Sequence, residues 1–225
     1  MIKRELYMNR IRPFIGGELI KVMTGIRRSG KSVMLELIKE ELAEAGVAPS
    51  QMISINFEDM RYSHLQTATA LHDEIIKRAE GIEGKAYLFF DEIQEVEGWE
   101  KCVNSLRVAL DCDIYITGSN AKLLSGELAT YIGGRHVEFV IYPFSFAEFL
   151  ELYHTIAPSD SIQQCFQKYL LAGGMPYLAN LRYEEEPSRQ YLTDLFNSVQ
   201  LKDIVKRNKI RDIDLLERII AYMTA

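Results

Sequence analysis

The chain has 225 residues, of which 48% are hydrophobic and 26% are charged, and its net charge at pH 7 is −6. This composition is typical of a soluble globular protein and excludes broad, non-specific nucleic-acid binding, although it leaves a local basic patch open. No apolar run approaches the roughly eighteen residues of a membrane span, and the N-terminus lacks the hydrophobic core of a signal peptide. We therefore expect a cytoplasmic protein without membrane contact. The three cysteines form no C-x-x-C pair, which indicates reduced thiols rather than a disulfide framework or a zinc site.

The first 18 residues precede any strand pattern and combine basic with aromatic side chains: Lys3, Arg4, Arg10, Arg12, Tyr7 and Phe14. We interpret the basic residues as a solvated face. A short apolar strand then covers residues 19–23. Directly after it, residues 25–32 read G-I-R-R-S-G-K-S, which matches the phosphate-binding pattern G-x-x-x-x-G-K-[ST] at every specified position.

The residue types of this motif fit a triphosphate bound with a metal ion. Glycines at positions 25 and 30 let bare backbone N–H groups approach the phosphates. Lys31 would place its ammonium on the β- and γ-phosphates, Ser32 would offer its hydroxyl to Mg²⁺, and the next helix would add its positive end. The alternative is a Gly/Ser turn before a helix. The predicted nucleotide-binding residues are Gly25, Ile26, Arg27, Arg28, Ser29, Gly30, Lys31, Ser32 and Val33.

If a nucleotide binds at this loop, the alternative to a solvated face is that residues 1–18 cover its adenine. After the motif, apolar residues at helical spacing predict a helix that ends at Gly46. Strands over 52–57, 86–90 and 113–116 alternate with helices over 67–80 and 99–110, and a fifth strand covers 136–142. Such alternation predicts right-handed crossovers and a parallel α/β sheet that binds its ligand at the carboxyl edge.

Polar residues follow two of these strands. Asp91 ends a continuous apolar run and is positioned to hold Mg²⁺, whereas Glu92 beside it could orient the attacking water and accept its proton. The alternative is that the two acids cap the next helix. Ser119 and Asn120 end the following strand, where they could hydrogen-bond the γ-phosphate or the water; a simple turn explains them equally well.

Helical patterns dominate the rest of the chain. Ser145 and Glu148 predict a capping box for a helix through about residue 153. Helices over 161–171, 187–207 and 212–223 follow, and G-G-M-P at 173–176 separates the first from the others. We predict a P-loop core over 1–155, a helical lid over 156–207 and the start of a further segment over 208–225. The last helix has no stop signal, so we expect the natural protein to continue.

Together these motifs resemble an AAA+ ATPase of the additional-strand catalytic-glutamate division. More narrowly, the phosphate loop, the step at Gly134-Arg135, the stretch Y-P-F-S-F-A-E-F over 142–149 and G-G-M-P resemble the prokaryotic AAA_14 family. The resemblance implies a three-layer α/β P-loop NTPase fold with a helical lid, and ATP rather than GTP as the nucleotide. Family members usually continue into a winged-helix-like segment and a nuclease-like domain.

Two residue roles are implied by the resemblance alone. Pro176 is similar to a lid proline that packs near the adenine, and Arg135 occupies the position of an arginine finger in a homo-oligomer. A salt-bridge role is the alternative for Arg135. The lid shows no clear sensor arginine.

The sequence therefore predicts Mg²⁺-dependent binding and hydrolysis of ATP. A slow nucleotide switch is one alternative. The other is an ATP-regulated DNA-binding protein, which rests on the basic stretch 202–211; a solvated helix face explains that stretch as well.

Overall fold

The computed structural model describes residues 2–118, 132–199 and 212–224. Within them a five-stranded, fully parallel sheet forms the centre of the fold. Its strands are β1 (Ile20–Thr24), β2 (Met52–Asn56), β3 (Ala86–Asp91), β4 (Cys112–Thr117) and β5 (His136–Val140). Their order across the sheet is β2-β3-β4-β1-β5, so one strand separates the strand that carries Asp91 from the strand that leads into the phosphate loop.

Eight α-helices accompany the sheet in the described residues. They are α1 (Glu5–Ile11), α2 (Lys31–Glu44), α3 (Ala68–Ala79), α4 (Trp99–Ala109), α5 (Phe146–Tyr153), α6 (Ile162–Ala172), α7 (Glu185–Val199) and α8 (Ile213–Thr224). Helices α3 and α4 cover one face of the sheet, and α1 and α2 cover the other. Successive residues of β3 alternate between the two cores: Leu88 and Phe90 enter the first and Phe89 the second. The predicted three-layer α/β fold is confirmed.

A third apolar cluster joins α5, α6, the segment before α7 and one face of α7 into a helical unit, and the name lid is used for this unit, from α5 to α7. Phe149 is fully buried at its centre, where its ring packs against Tyr153 and Tyr183 at centroid distances of 5.1 and 4.9 Å. The predicted capping box is present, because the Ser145 hydroxyl accepts from the Glu148 N–H and the Glu148 carboxylate accepts from the Ser145 N–H. The lid therefore has a core of its own, separate from the two cores of the sheet.

The G-G-M-P stretch fixes the lid to the segment after β5. Gly173 ends α6 with φ +76°, and the Phe144 N–H donates to the Gly174 carbonyl at 2.7 Å. A side chain at position 174 would collide with the backbone of Phe144. Only glycine allows the two backbones to approach this closely, which explains the second glycine of the motif.

The N-terminal segment differs from the prediction. Arg4 is 3% exposed, so the prediction of a solvated face is wrong at this residue. Its guanidinium donates to Glu148 Oε1 at 2.7 Å, to the Ser29 carbonyl of the phosphate loop at 3.0 Å and to the Tyr142 carbonyl at 2.8 Å. Burial opposes ionisation of Glu148, but its hydrogen bonds with Arg4 and Ser145 prevail and lower its pKa. Arg4 thus connects three separate parts of the chain.

A buried ion pair, which the sequence analysis did not predict, lies between β1 and β4. Lys21 and Asp113 are both fully buried and form a salt bridge. The Asp113 carboxylate also accepts from the Tyr115 hydroxyl at 2.7 Å and from the Gly16 N–H at 2.6 Å. Burial lowers the pKa of Lys21, and the charge of Asp113 opposes that shift. The pair therefore links β1 to β4, and Asp113 also binds the turn that precedes β1.

We expect Lys21→Met to lower the free energy of unfolding by about 3–5 kcal/mol, because it leaves the Asp113 carboxylate buried without its cation. Urea denaturation followed by the fluorescence of Trp99 measures this change. The double variant Lys21→Met/Asp113→Asn is the control, since it removes both charges and keeps an acceptor for Gly16 and Tyr115. It should recover most of the lost stability. A loss below about 1 kcal/mol in the single variant would contradict the assigned role of the pair.

Several predicted features lie outside the described residues: Ser119, Asn120, the whole basic stretch 202–211 and the end of the helix expected over 187–207. The predicted limits of the three domains therefore stay predictions. Among the residues that the structure describes, no helix combines the length and the apolar character needed to cross a membrane.

Candidate functional site

The phosphate loop connects β1 to α2 at the carboxyl edge of the sheet. Three of its residues have left-handed backbone conformations: Gly25 with φ +144°, Arg28 with φ +62° and Gly30 with φ +102°. A side chain at Gly25 would collide with the carbonyl of Ile141, the residue after β5. Gly25 is therefore needed for packing as well as for the approach of a phosphate.

Lys31 is the first residue of α2 and lies across the loop. Its side chain is largely buried, and Nζ is 3.2 Å from the carbonyl oxygens of both Gly25 and Ile26. The amino end of α2 adds its partial positive charge at the same place. An ammonium and a helix N-terminus thus converge on the concave side of the loop.

Thr117, at the end of β4, organises the two acids. Its hydroxyl donates to Asp91 Oδ1 and accepts from the backbone N–H of Glu92 at 3.0 Å. Asn56, at the end of β2, donates to Asp91 Oδ2 at 3.1 Å. The Asp91 side chain is thus hydrogen-bonded from both neighbouring strands, β2 and β4. Only 6% of Asp91 is exposed. Sequence reasoning assigned no role to Thr117 or Asn56, although each is a polar residue at a strand end beside the acids.

Glu92 has a left-handed backbone conformation, with φ +55° and ψ +46°. This conformation costs a residue with a side chain roughly 1–2 kcal/mol, and such strain is concentrated at functional sites. Gln94 donates a hydrogen bond to Glu92 Oε2. The Glu92 side chain faces the same cleft as the phosphate loop.

That cleft has a volume of about 840 Å³, within the range of small-molecule sites. It brings together eight residues that the sequence predicted, namely six of the loop region, one acid and the lid proline: Arg27, Arg28, Gly30, Lys31, Ser32, Val33, Glu92 and Pro176. Asp91 is buried next to Glu92. Predicted site residues from the core and from the lid thus line the same cleft.

The lid contributes six further lining residues that sequence reasoning did not identify: Tyr177, Asn180, Tyr191, Asp194, Leu195 and Ser198. Four of them share one face of α7, at helical spacing i, i+3, i+4 and i+7. The rings of Tyr177 and Tyr191 pack at a centroid distance of 5.0 Å, and Arg28 Cζ lies 5.7 Å from the Tyr191 ring. The sequence signal that could have identified the four α7 residues is the mixed polar and apolar character of this helix face.

Arg135 lies away from this cleft. Its carbonyl accepts from the N–H of Ile20, at the amino end of β1, whereas the loop follows the carboxyl end of that strand. Five residues of strand separate the two ends by about 16 Å. Its guanidinium donates to Asn104 Oδ1 at 2.8 Å on α4. The structure does not bring Arg135 together with the other predicted site residues of its own chain.

The sheet order, the phosphate loop on β1, the acids at the end of β3 and the helical lid define a P-loop NTPase of the AAA+ class. This class is the one that the sequence motifs predicted. The chain belongs to the AAA_14 family, because the model of that family, described as an AAA domain, matches residues 18–150 and so more than half of the chain.

Two relatives are uncharacterized proteins. One, from Haemophilus influenzae, is 39% identical over 224 residues, which are 99% of this chain and 55% of that protein. The other, MJ1544 from Methanocaldococcus jannaschii, is 34% identical over 203 residues, which are 86% of this chain and 44% of that protein. The chain thus spans about half the length of these relatives.

Among solved structures, the chain is similar to AMPPCP-bound DnaA from Aquifex aeolicus, with a TM-score of 0.49 at 14% identity over 98% of this chain and 68% of that one. It is also similar to the ORC1 protein of Aeropyrum pernix in complex with DNA, with a TM-score of 0.47 at 14% identity over 88% and 65% of the two chains.

Proposed function

We propose that this chain binds ATP with Mg²⁺ and hydrolyses it. The observation that carries the proposal is the single cleft lined by the phosphate loop, by Glu92 and by the lid. Membership of the AAA_14 family supports nucleotide binding independently. The preference for ATP over GTP rests on that family, as does the expected contact of Pro176 with the adenine. We also propose that the protein acts in the cytoplasm.

The residues present fit a nucleotide and a metal ion. A carboxylate has about four lone-pair positions, and the hydrogen bonds from Thr117 and Asn56 use two of those on Asp91. Asp91 could therefore accept from a water of the metal shell, and Ser32, which lines the cleft, would offer its hydroxyl as a direct ligand. Bound Mg²⁺ would neutralise charge on the β- and γ-phosphate oxygens.

Each residue then has a defined role. The N–H groups of the loop and the ammonium of Lys31 hold the phosphates. Glu92 orients a water against the γ-phosphate and accepts its proton. We infer that the left-handed backbone at Glu92, held by Thr117, aims this carboxylate into the cleft while the neighbouring Asp91 side chain stays on the metal side.

A slow nucleotide switch is the second candidate, and the hydrogen bond from Gln94 to Glu92 favours it. This contact occupies an oxygen that a catalytic base would offer to water, so it would slow turnover while it persists. The steady-state ATPase rate of the full-length protein distinguishes the two candidates. DNA binding through 202–211 stays a prediction, and a salt-dependent mobility shift on duplex DNA tests it.

We expect Lys31→Ala to weaken ADP binding about tenfold to a hundredfold, because a hydrogen bond from a charged donor contributes roughly 1.5–3 kcal/mol. Isothermal titration measures this affinity. Lys39→Ala is the matched control, since Lys39 is a lysine on the same helix that pairs with Glu36 at the surface. The control should bind ADP as the wild type does. Equal affinity in Lys31→Ala and wild type would remove the basis of the proposed function.

A further inference from the structure

Arg28 connects the phosphate loop to the lid. Its left-handed backbone lies inside the loop, and its side chain lines the cleft beside Lys31. The guanidinium carbon lies 5.7 Å from the centroid of the Tyr191 ring on α7, which is within the range of a cation–π interaction. One side chain therefore reaches both the place where phosphates would bind and the helix that covers it.

The lid side of the cleft has an unusual charge pattern for a site that takes an anion. In the described residues it contributes one acid, Asp194, and no lysine or arginine to the cleft lining. Asp194 lies one helical turn after Tyr191, so both side chains project from the same face of α7. A carboxylate that closes over a triphosphate is repelled by it unless a cation lies between them.

The Tyr191 ring packs within the lid, against the edge of the third apolar cluster. It packs on Tyr177 at a centroid distance of 5.0 Å, and Tyr177 directly follows the lid proline Pro176. The guanidinium of Arg28 is therefore linked through the Tyr191 ring to Tyr177, next to the lid proline.

We propose that Arg28 bridges the bound nucleotide and the lid: its guanidinium binds the phosphates while it stays against the Tyr191 ring and screens Asp194. This inference rests on nucleotide binding at the proposed site. A planar guanidinium suits the task because it can donate in its plane to phosphate oxygens and present its face to an aromatic ring at the same time. The loop thereby supplies the positive charge that the described lid residues do not bring to the cleft.

The bridge predicts that the lid contact and the phosphate contact strengthen each other. Tyr191→Leu, which removes the ring, should weaken ADP binding about threefold to tenfold, because a cation–π contact that the bound nucleotide and the lid desolvate is stronger, by roughly this factor, than the more exposed contact of the free protein. Tyr191→Phe keeps the ring and should bind like the wild type. In an Arg28→Gln background, Tyr191→Leu should cause no further loss, because the guanidinium that it engages is already gone.

The test combines ADP titration with hydrogen exchange of α7 in the wild type and these variants. Added ADP should slow exchange of α7 in the wild type and in Tyr191→Phe, but not in Tyr191→Leu or Arg28→Gln. Arg189→Gln is the matched control, since Arg189 lies on the same helix and pairs with Glu186 at the surface. It should behave as the wild type.

Three outcomes overturn the inference. Unchanged ADP affinity in Tyr191→Leu would show that the ring has no part in binding. Tighter affinity would show that Arg28 must leave Tyr191 before a nucleotide can bind. Additive losses in the Arg28→Gln/Tyr191→Leu double variant would show that the two side chains act separately. If instead the wild type itself binds no ADP, the proposed function fails, and this result is distinct from the other three.

Discussion

Glu92→Gln is expected to lower the ATPase rate by about 10²- to 10⁴-fold, the usual contribution of a positioned general base. The amide keeps the size of the side chain and can still accept a hydrogen bond from Gln94, but it cannot take a proton from water. Binding should be unaffected, since the loop and Lys31 hold the phosphates. The rate of phosphate release at saturating ATP measures hydrolysis, and a titration with ATP measures binding.

Asp91→Asn is the matched comparison for this prediction. Its neutral side chain keeps an acceptor for the Thr117 hydroxyl but loses the charge that would hold the metal shell. Nucleotide binding should therefore become less dependent on Mg²⁺ in this variant, a property that Glu92→Gln should leave intact. A wild-type hydrolysis rate in Glu92→Gln would assign the positioning of water to another group.

Arg135→Ala is expected to lower the ATPase rate by roughly 10³- to 10⁵-fold if this guanidinium reaches the γ-phosphate of a neighbouring subunit. Its place at the amino end of β5, about 16 Å from the loop of its own chain, favours action between subunits over action within one. Mixing inactive Arg135→Ala with inactive Glu92→Gln should then restore activity at interfaces that pair an intact Glu92 with an intact Arg135. Recovery should rise with protein concentration, because the interface has to form.

Asn104→Ala is the control for this experiment, since it removes the hydrogen-bond partner of Arg135 within the chain. Full activity of Asn104→Ala would show that ATP hydrolysis does not require the Arg135–Asn104 contact. Full activity of Arg135→Ala would show that Arg135 has only a structural role, as a hydrogen-bond donor to Asn104 on α4. An inactive Arg135→Ala protein that no mixture rescues would contradict a role between subunits.

The features that the sequence predicted correctly depend on short-range patterns. The strand and helix on either side of the phosphate motif, the apolar run before Asp91 and the capping box at Ser145 are each set by a few neighbouring residues, and each has a local physical cause. Element bounds were less accurate at ends where hydrogen bonding continues past the regular strand. The fifth strand was predicted to reach residue 142, whereas β5 ends at Val140, although the Ile141 N–H still donates to Thr24.

The features that were missed depend on contacts between distant parts of the chain. Arg4 and Glu148 are 144 positions apart, and nothing near either residue in the sequence indicates that they meet. The Lys21–Asp113 pair likewise became visible only once β4 was placed next to β1. The role of Thr117 follows from the same neighbour relation, since its hydroxyl reaches Asp91 across adjacent strands.

The buried Arg4 also determines where this protein can be shortened. The family match begins at residue 18, and a recombinant fragment cut there would lack the guanidinium that binds the Ser29 carbonyl and the Glu148 carboxylate. The phosphate loop would lose one of its supports, and an acid at the start of the lid would lose its cation. Expression vectors for the isolated domain should therefore retain the N-terminal residues.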